Sequence, residues 1–335
     1  MTAPRGRLIA AFAAIYLLWG GTFLAIRYAV AEVPPLLTIA IRCAGGAALL
    51  FAWLWWRGER GRGTAAEWRT ALVAGTFLFL GCHSLLAWAE QRVSSGEAAL
   101  LMTAIPLWLV LLNAARERRV PPPAVVAGLA LGMAGVALLT VGGSWTGTTA
   151  DRLGLVASAL FWAIGSLIAR HGPRPDSALE STAMQLAAGG AVVLLASGAI
   201  GELGRWNVAD TTPRAAFALL FLVVGGTVLG FGAYTWLLRV TTPAAVGTYA
   251  FVNPVVALGL AWVAGDGELS ARVLAAAGIV VAAVALTWLP GAGASAGPPA
   301  QGRAGPPHPP PTAADGAPLP PARTRGSAAA RAAGA

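Results

Sequence analysis

The chain has 335 residues, of which 57% are hydrophobic and only 11% charged, and its mean hydropathy is +0.68. Soluble domains carry roughly 25% charged residues, so a globule with a water-facing surface is excluded, and with it the ordinary soluble enzyme. All 23 basic side chains are Arg and they outnumber 14 acidic ones, giving +9; in a chain this apolar the excess anchors cytoplasmic loops, and no nucleic-acid partner is expected.

A helix crossing the hydrocarbon core needs about 20 mostly apolar residues, so there is room for about ten crossings. Barrel strands would alternate in polarity, whereas the stretches 215–238 and 244–264 are apolar on every face. The fold class expected is therefore all-α, a polytopic membrane protein. In chain order the apolar runs fall at 8–31, 36–56, 70–90, 96–115 and 124–141, then at 153–169, 181–199, 215–238, 244–264 and 273–289. The first run follows Arg5 and Arg7 but is longer than the ~7–15 residues of a signal-peptide core, so it is expected to remain as a span.

Placing the N-terminus in the cytoplasm puts sixteen Arg on that side, including Arg57, Arg60, Arg62, Arg69, Arg116, Arg118, Arg119, Arg170, Arg174 and Arg239. Seven remain on the other, so both termini are expected to be cytoplasmic. The last 46 residues, from Pro290, hold 11 of the 23 prolines with no periodic apolar run, and read as a disordered tail over 290–335. Cys43 and Cys82 fall inside apolar runs and read as small buried groups.

The two halves are weakly similar. Arg92-Val93-Ser94-Ser95 precedes the fourth run and Arg239-Val240-Thr241-Thr242 the ninth; Trp19 to Arg27 is matched by Trp162 to Arg170. Arg42-Cys43-Ala44-Gly45-Gly46 sits like the segment from Gln185 to Gly190, and Val136–Thr140 like Val284–Thr287. The shared order of these matches divides the chain into repeats over 8–142 and 151–289. Five crossings is an odd number, so the second copy enters the membrane from the opposite face, the inverted arrangement that many secondary transporters use for alternating access.

Pro106 and Pro254 occupy corresponding places in the two halves. Each removes a backbone hydrogen bond and can open a carbonyl toward a cavity, or be a kink satisfied by a neighbour. A charge near the centre of a membrane helix costs roughly 2.5–3.5 kcal/mol, so ionisable groups inside the runs should face the bundle interior. Those groups are Arg27, Arg42, His83 and Glu90, with the polar Gln185 and Asn253. His83 and Glu90 are separated by two helical turns and can face one cavity, and Glu90 is the candidate for proton coupling. Arg27, Arg42 and Arg92 share the outer third with Glu32, Glu90 and Glu97, which reads either as an ion-paired gate or as snorkelling at the headgroups.

Most of the 13 Trp suit an interfacial belt, as Trp55, Trp56, Trp145 and Trp288 do by position. Trp19, Trp162, Tyr234 and Tyr249 lie deeper and suit either packing or a cavity for apolar or aromatic solutes. The spacings Gly128 to Gly132 and Gly226 to Gly230 fit close helix contacts. No metal cluster, nucleophile elbow or phosphate-cradling loop is present, so no enzyme, metal or cofactor is expected.

The stretches from Trp19-Gly20-Gly21-Thr22 to Arg27, from Ala89-Glu90-Gln91 to Gly96, and from Tyr249 through Val252-Asn253-Pro254-Val255-Val256 to Ala257 carry a resemblance. Over about residues 8–289 the chain is similar to the EamA-type drug/metabolite transporters, nearest their YedA-like permeases. The resemblance implies ten helices in two EamA repeats, cytoplasmic termini, and efflux of small metabolites such as amino acids across the bacterial inner membrane. It also implies a cavity lined by the first, third, fourth, sixth, eighth and ninth helices. Two features depart from the family pattern, Trp162-Ala163 in place of Trp-Gly and the Pro-rich tail. The function expected is a secondary transporter for a small amphipathic solute working in the lipid bilayer, compatible with a monomer. A non-transporting scaffold or a lipid-modifying membrane enzyme is the alternative.

Overall fold

The computed structural model describes residues 4–59, 61, 63–118, 120, 123–140, 146–240, 249–266 and 269–287. The expected tail at 290–335, the belt residues Trp145 and Trp288, and Thr241-Thr242 lie outside these. Among the described residues every regular element is a helix.

Helix α1 (Arg5–Val30) begins after Pro4, and the Pro34-Pro35 pair separates it from α2 (Pro35–Trp56), whose first turn holds Pro35 where a missing N–H costs nothing. A capping box between Thr64 and Glu67 starts α3 (Ala65–Ala89), and the Ser94 hydroxyl caps α4 (Ser95–Glu117). Then come α5 (Pro123–Thr140), α6 (Thr149–His171), opened by a second capping box from Thr148 and Asp151, and α7 (Ala178–Ala199), capped by Ser177. Two short 3-10 turns, Glu202–Arg205 and Val208–Asp210, lead to α8 over 213–240, capped by Thr212. Helices α9 (Tyr249–Val263) and α10 (Ala271–Thr287) complete the bundle.

Seven of these helices are long and apolar enough to cross a membrane (α1 to α4, α6, α7 and Pro213–Tyr234 of α8), and shorter apolar helices accompany them. The bundle is apolar outside as well as inside. Ile9, Trp55, Trp56, Leu195, Phe217 and Val263 are all at least two-thirds exposed, an outer surface that water would not tolerate and lipid does. Buried polar groups are few and belong largely to the helix ends and to the centre.

Two features were not legible in the apolar pattern. Helix α3 widens into a π-helix over Thr76–His83 and α8 does so over Phe221–Leu229, at corresponding places in the two halves. Side chains exploit the wider turn in the same way: Ser84 Oγ donates to Phe79 O, and Thr227 Oγ1 to Leu222 O, both at 2.9 Å and both five residues back. Such bulges concentrate at functional sites. Helix α4 breaks at Thr103-Ala104 and restarts at Ile105, so Pro106 stands in the first turn of a renewed helix. Pro254, by contrast, lies inside α9 and leaves the carbonyl one turn before it without its helical donor.

The helices associate in interchanging pairs. Helix α1 packs on α8 and α9, as α6 packs on α3 and α4; α3 packs on α7, as α8 packs on α2; α2 packs on α7, and α5 on α10. Replacing each helix by the one five places away returns the same pairs. Between α2 and α7, a Cβ on Gly190 would lie 2.6 Å from Cys43 Cβ, and one on Gly46 would meet Leu186 at 3.4 Å. Helices α3 and α7 meet backbone to backbone, where a Cβ on Gly189 would stand 2.6 Å from the Gly75 backbone.

Candidate functional site

Trp19, midway along α1, donates its indole N–H to Gly226 O in the π-helical part of α8 at 3.0 Å. Its ring meets Tyr249 at 4.9 Å, Tyr234 at 5.3 Å and Phe231 at 5.5 Å between centroids, so three of the four aromatics expected to lie deep gather in one cluster, without Trp162. Trp162 has the matching place in α6 and packs on His83 at 5.4 Å. Gly230 also stands against Trp19 Nε1, so the tryptophan of each half's first helix meets the π-bearing third helix of the other half. One contact takes a glycine, the other a histidine. His83 Nδ1 donates to Leu78 O at 2.8 Å, which places the ring proton on that nitrogen.

Arg42 is buried at 6% exposure, with Nε donating to Thr227 Oγ1 at 3.1 Å. Thr22, also buried, donates to Trp19 O at 2.6 Å and sets its methyl against Gly226, close to the Arg42 guanidinium. Two residues before Thr22, Gly20 lets α9 approach: a Cβ there would lie 2.7 Å from Val256 and 3.2 Å from Asn253 O. Asn253 is buried and its Oδ1 has no hydrogen-bond partner among the described residues, and Pro254 is buried beside it. Gln185 donates to Ser181 Oγ on its own helix at 3.1 Å and does not join this group.

Glu90 lies elsewhere. Seven residues beyond His83, about 10 Å along the axis, it is fully buried, and neither carboxylate oxygen has a hydrogen-bond partner among the described residues. Its backbone carbonyl accepts from Arg27 Nη1 at 2.5 Å, while Arg27 Nε donates to Asp266 Oδ1 at 3.0 Å. Asp266 Oδ2 accepts from Ser95 N at 2.9 Å and from Ser95 Oγ at 2.7 Å. The end of α1, the end of α3, the start of α4 and the turn after α9 are thus tied at one point. His83 and Glu90 therefore do not share one neighbourhood.

None of the three expected arginines pairs with an expected glutamate among the described residues, and at this end other partners take their place. Arg92 Nη2 meets the fully buried Asp151 at 2.5 Å, and this hydrogen bond holds the Arg92 guanidinium above its ordinary pKa. Glu32 accepts from Thr212 Oγ1 at 2.6 Å and Thr212 N at 2.7 Å, which together hold its carboxyl below the usual carboxylate range. Glu97 accepts from Thr146. The buried Glu202 accepts from Leu37 N at 2.9 Å, Leu36 N at 3.4 Å and Ser197 Oγ at 2.9 Å, supplying the cap that α2 lacks in its own sequence. Arg42 does not belong to the layer. Sequence reasoning missed Asp266, Asp151, Glu202 and Thr227; only Asp151 carried a local signal, the capping-box spacing from Thr148.

Two clefts lie away from Arg42. One of about 570 Å³ opens at the opposite end, lined by Glu59, Glu67, Asp176 and Glu180 among others; the other, about 300 Å³ and apolar, is lined by Leu36, Leu80, Ser84, Leu85 and Trp88.

A bundle of long apolar helices with an apolar outer surface and only a few buried polar groups defines a multi-pass membrane protein. Its helix arrangement is shared by a protein of known crystal structure, which superposes with a TM-score of 0.59 at 24% identity over 85% of this chain and 97% of that one. The chain belongs to the EamA-like transporter family, whose model matches residues 6–141 and again 152–289. It is 30% identical over 285 residues to the uncharacterized inner membrane transporter YedA of Escherichia coli K12, covering 84% of this chain and 90% of that protein. It is also 23% identical over 252 residues to the uncharacterized transporter YoaV of Bacillus subtilis 168, covering 74% and 85%. The protein is a membrane transporter.

Proposed function

We propose that the protein is a secondary transporter that exports small amphipathic metabolites, amino-acid-like compounds among them, across a bacterial inner membrane by alternating access. In this reading ten helices form two inverted five-helix halves, 8–142 and 151–289, with both termini and the 290–335 tail in the cytoplasm. The observation that carries it is the interchange of helix pairs between the halves, together with the polar ties from one half to the other at a single end of the bundle. Rocking the halves would break those ties and open that end while the opposite end closes. The Arg27–Asp266–Ser95 junction is the outer gate in this reading. Glu90, buried beside it with no partner for its carboxyl group among the described residues, is the proton site.

Counterflow in proteoliposomes tests transport directly: labelled solute should accumulate transiently against an unlabelled internal pool, and a panel without any such accumulation would contradict export by a carrier. Tags before residue 5 and after residue 289 should both be reached from the cytoplasmic side alone; tags on opposite sides would break the inverted-repeat reading.

A further inference from the structure

The buried guanidinium of Arg42 is only partly used. Its Nε is taken by Thr227 Oγ1, whose own proton goes to Leu222 O, and among the described residues Arg42 forms no salt bridge. Neither terminal nitrogen has a protein acceptor there, yet neither belongs to the closed-off polar atoms, which are confined to Glu90, Trp108 and Asn253. The fork is therefore not sealed by protein on every side. Arg42 stands about 10 Å from the start of α2 and reaches to Thr227, midway along α8, so its head group lies within the apolar bundle and not at its end.

An uncompensated cation at that depth is costly. Arg27 and Arg92 are each neutralised by an aspartate, whereas Arg42 has the same charge and no acidic partner among the described residues. Its one anchor orients the guanidinium and leaves the paired Nη edge free, the edge that holds a carboxylate or phosphate through two parallel hydrogen bonds. Gly226 brings α8 close to this point: a Cβ there would lie 2.6 Å from the Thr22 methyl and 3.8 Å from Arg42 Nη2. The carbonyl of the same glycine holds the Trp19 indole N–H, so one residue of α8 connects the charge with the aromatic cluster.

We infer that Arg42 is the substrate's anion anchor: the transported solute carries an oxyanion, carboxylate or phosphate, on a small apolar or aromatic body. This rests on the transport reading above and adds the substrate's charge and the residue that reads it.

The test is equilibrium binding to the purified full-length protein in detergent, followed by intrinsic Trp fluorescence and thermal unfolding. The probes are phenylacetate, phenyl phosphate, the neutral phenylacetamide and the cationic phenethylamine. At least one oxyanion should bind wild type about tenfold or more tighter than both the amide and the amine. R42Q should abolish that preference, R42K should retain part of it, and T227V, which keeps the guanidinium, should retain it. An Arg42 that only braces α2 against α8 would lower the unfolding temperature of R42Q and leave the preference intact. Equal affinity for amide and oxyanion, a preference surviving R42Q, or no binding by either oxyanion overturns the assignment. Counterflow of a neutral or cationic solute alongside any of these results would leave the transporter reading standing and remove only the anion site.

Discussion

Replacing Asp266 by alanine should unlatch one end of the bundle. Asp266 accepts three hydrogen bonds, from Arg27 Nε at 3.0 Å and from Ser95 N and Oγ at 2.9 and 2.7 Å. Breaking a fully buried pair costs about 3–5 kcal/mol and an exposed pair about 0–1 kcal/mol. With the Arg27 side chain 29% exposed and that of Asp266 13% exposed, and with the Glu90 carboxylate able to take over Arg27, about 2–3 kcal/mol is expected. If the tie exists only while this end is closed, that energy shifts the balance toward the open state by about 30- to 150-fold. The reporter is a single cysteine, T22C in a C43A/C82A background, labelled from outside by a membrane-impermeant maleimide. Thr22 is 8% exposed and about one and a half turns below Arg27, so its labelling reads opening of this end. D266A should raise the rate by at least tenfold, and D266A/E90Q should raise it further because the substitute acceptor is gone. A folded D266A variant labelled at the wild-type rate would refute the gate.

Glu90→Gln preserves the shape of a buried side chain and removes its charge, so solute counterflow should persist while the response of net transport to a pH gradient disappears; an unchanged gradient response removes Glu90 from coupling. Gly189→Ala drives a methyl into the Gly75 backbone, which cannot yield as a side chain can, so a loss of about 1–3 kcal/mol is expected in thermal unfolding, against a neutral result at the open Gly278. Glu32 has its carboxyl held below the ordinary value of 4.5 by Thr212. The stability it adds is therefore full above that value and is lost as pH falls through the lower folded-state value. The gap in unfolding temperature between wild type and T212V should be open at pH 7 and close in strong acid; a gap unchanged with pH would assign it to packing.

What could be read from the sequence was set by the solvent. Lipid demands long apolar helices, so the runs 36–56 and 181–199 fall within a few residues of α2 and α7. Caps extend the helices past their apolar cores, which is why α6 starts at Thr149 and not at 153. Backbone rewiring left no trace in the pattern: a π-helix needs the same apolar residues as an α-helix, so Thr76–His83 looks like any other run. Proline gave position but not effect, marking a restart at Pro106 and an interior kink at Pro254. The aromatic cluster was legible because large rings at mid-span have few other places to go. The ionic partners were not, since Arg27 and Asp266 are 239 residues apart and nothing local joins them.

The carboxylate of Glu202 closes the start of a helix made more than 160 residues earlier. Expressed as a lone polypeptide, the N-terminal half would leave those amides bare, and the C-terminal half would carry a buried acid with nothing to hold but Ser197. Fusion into one chain thus secures more than stoichiometry, because each part finishes the other during assembly, and co-expressed fragments should accumulate together or hardly at all.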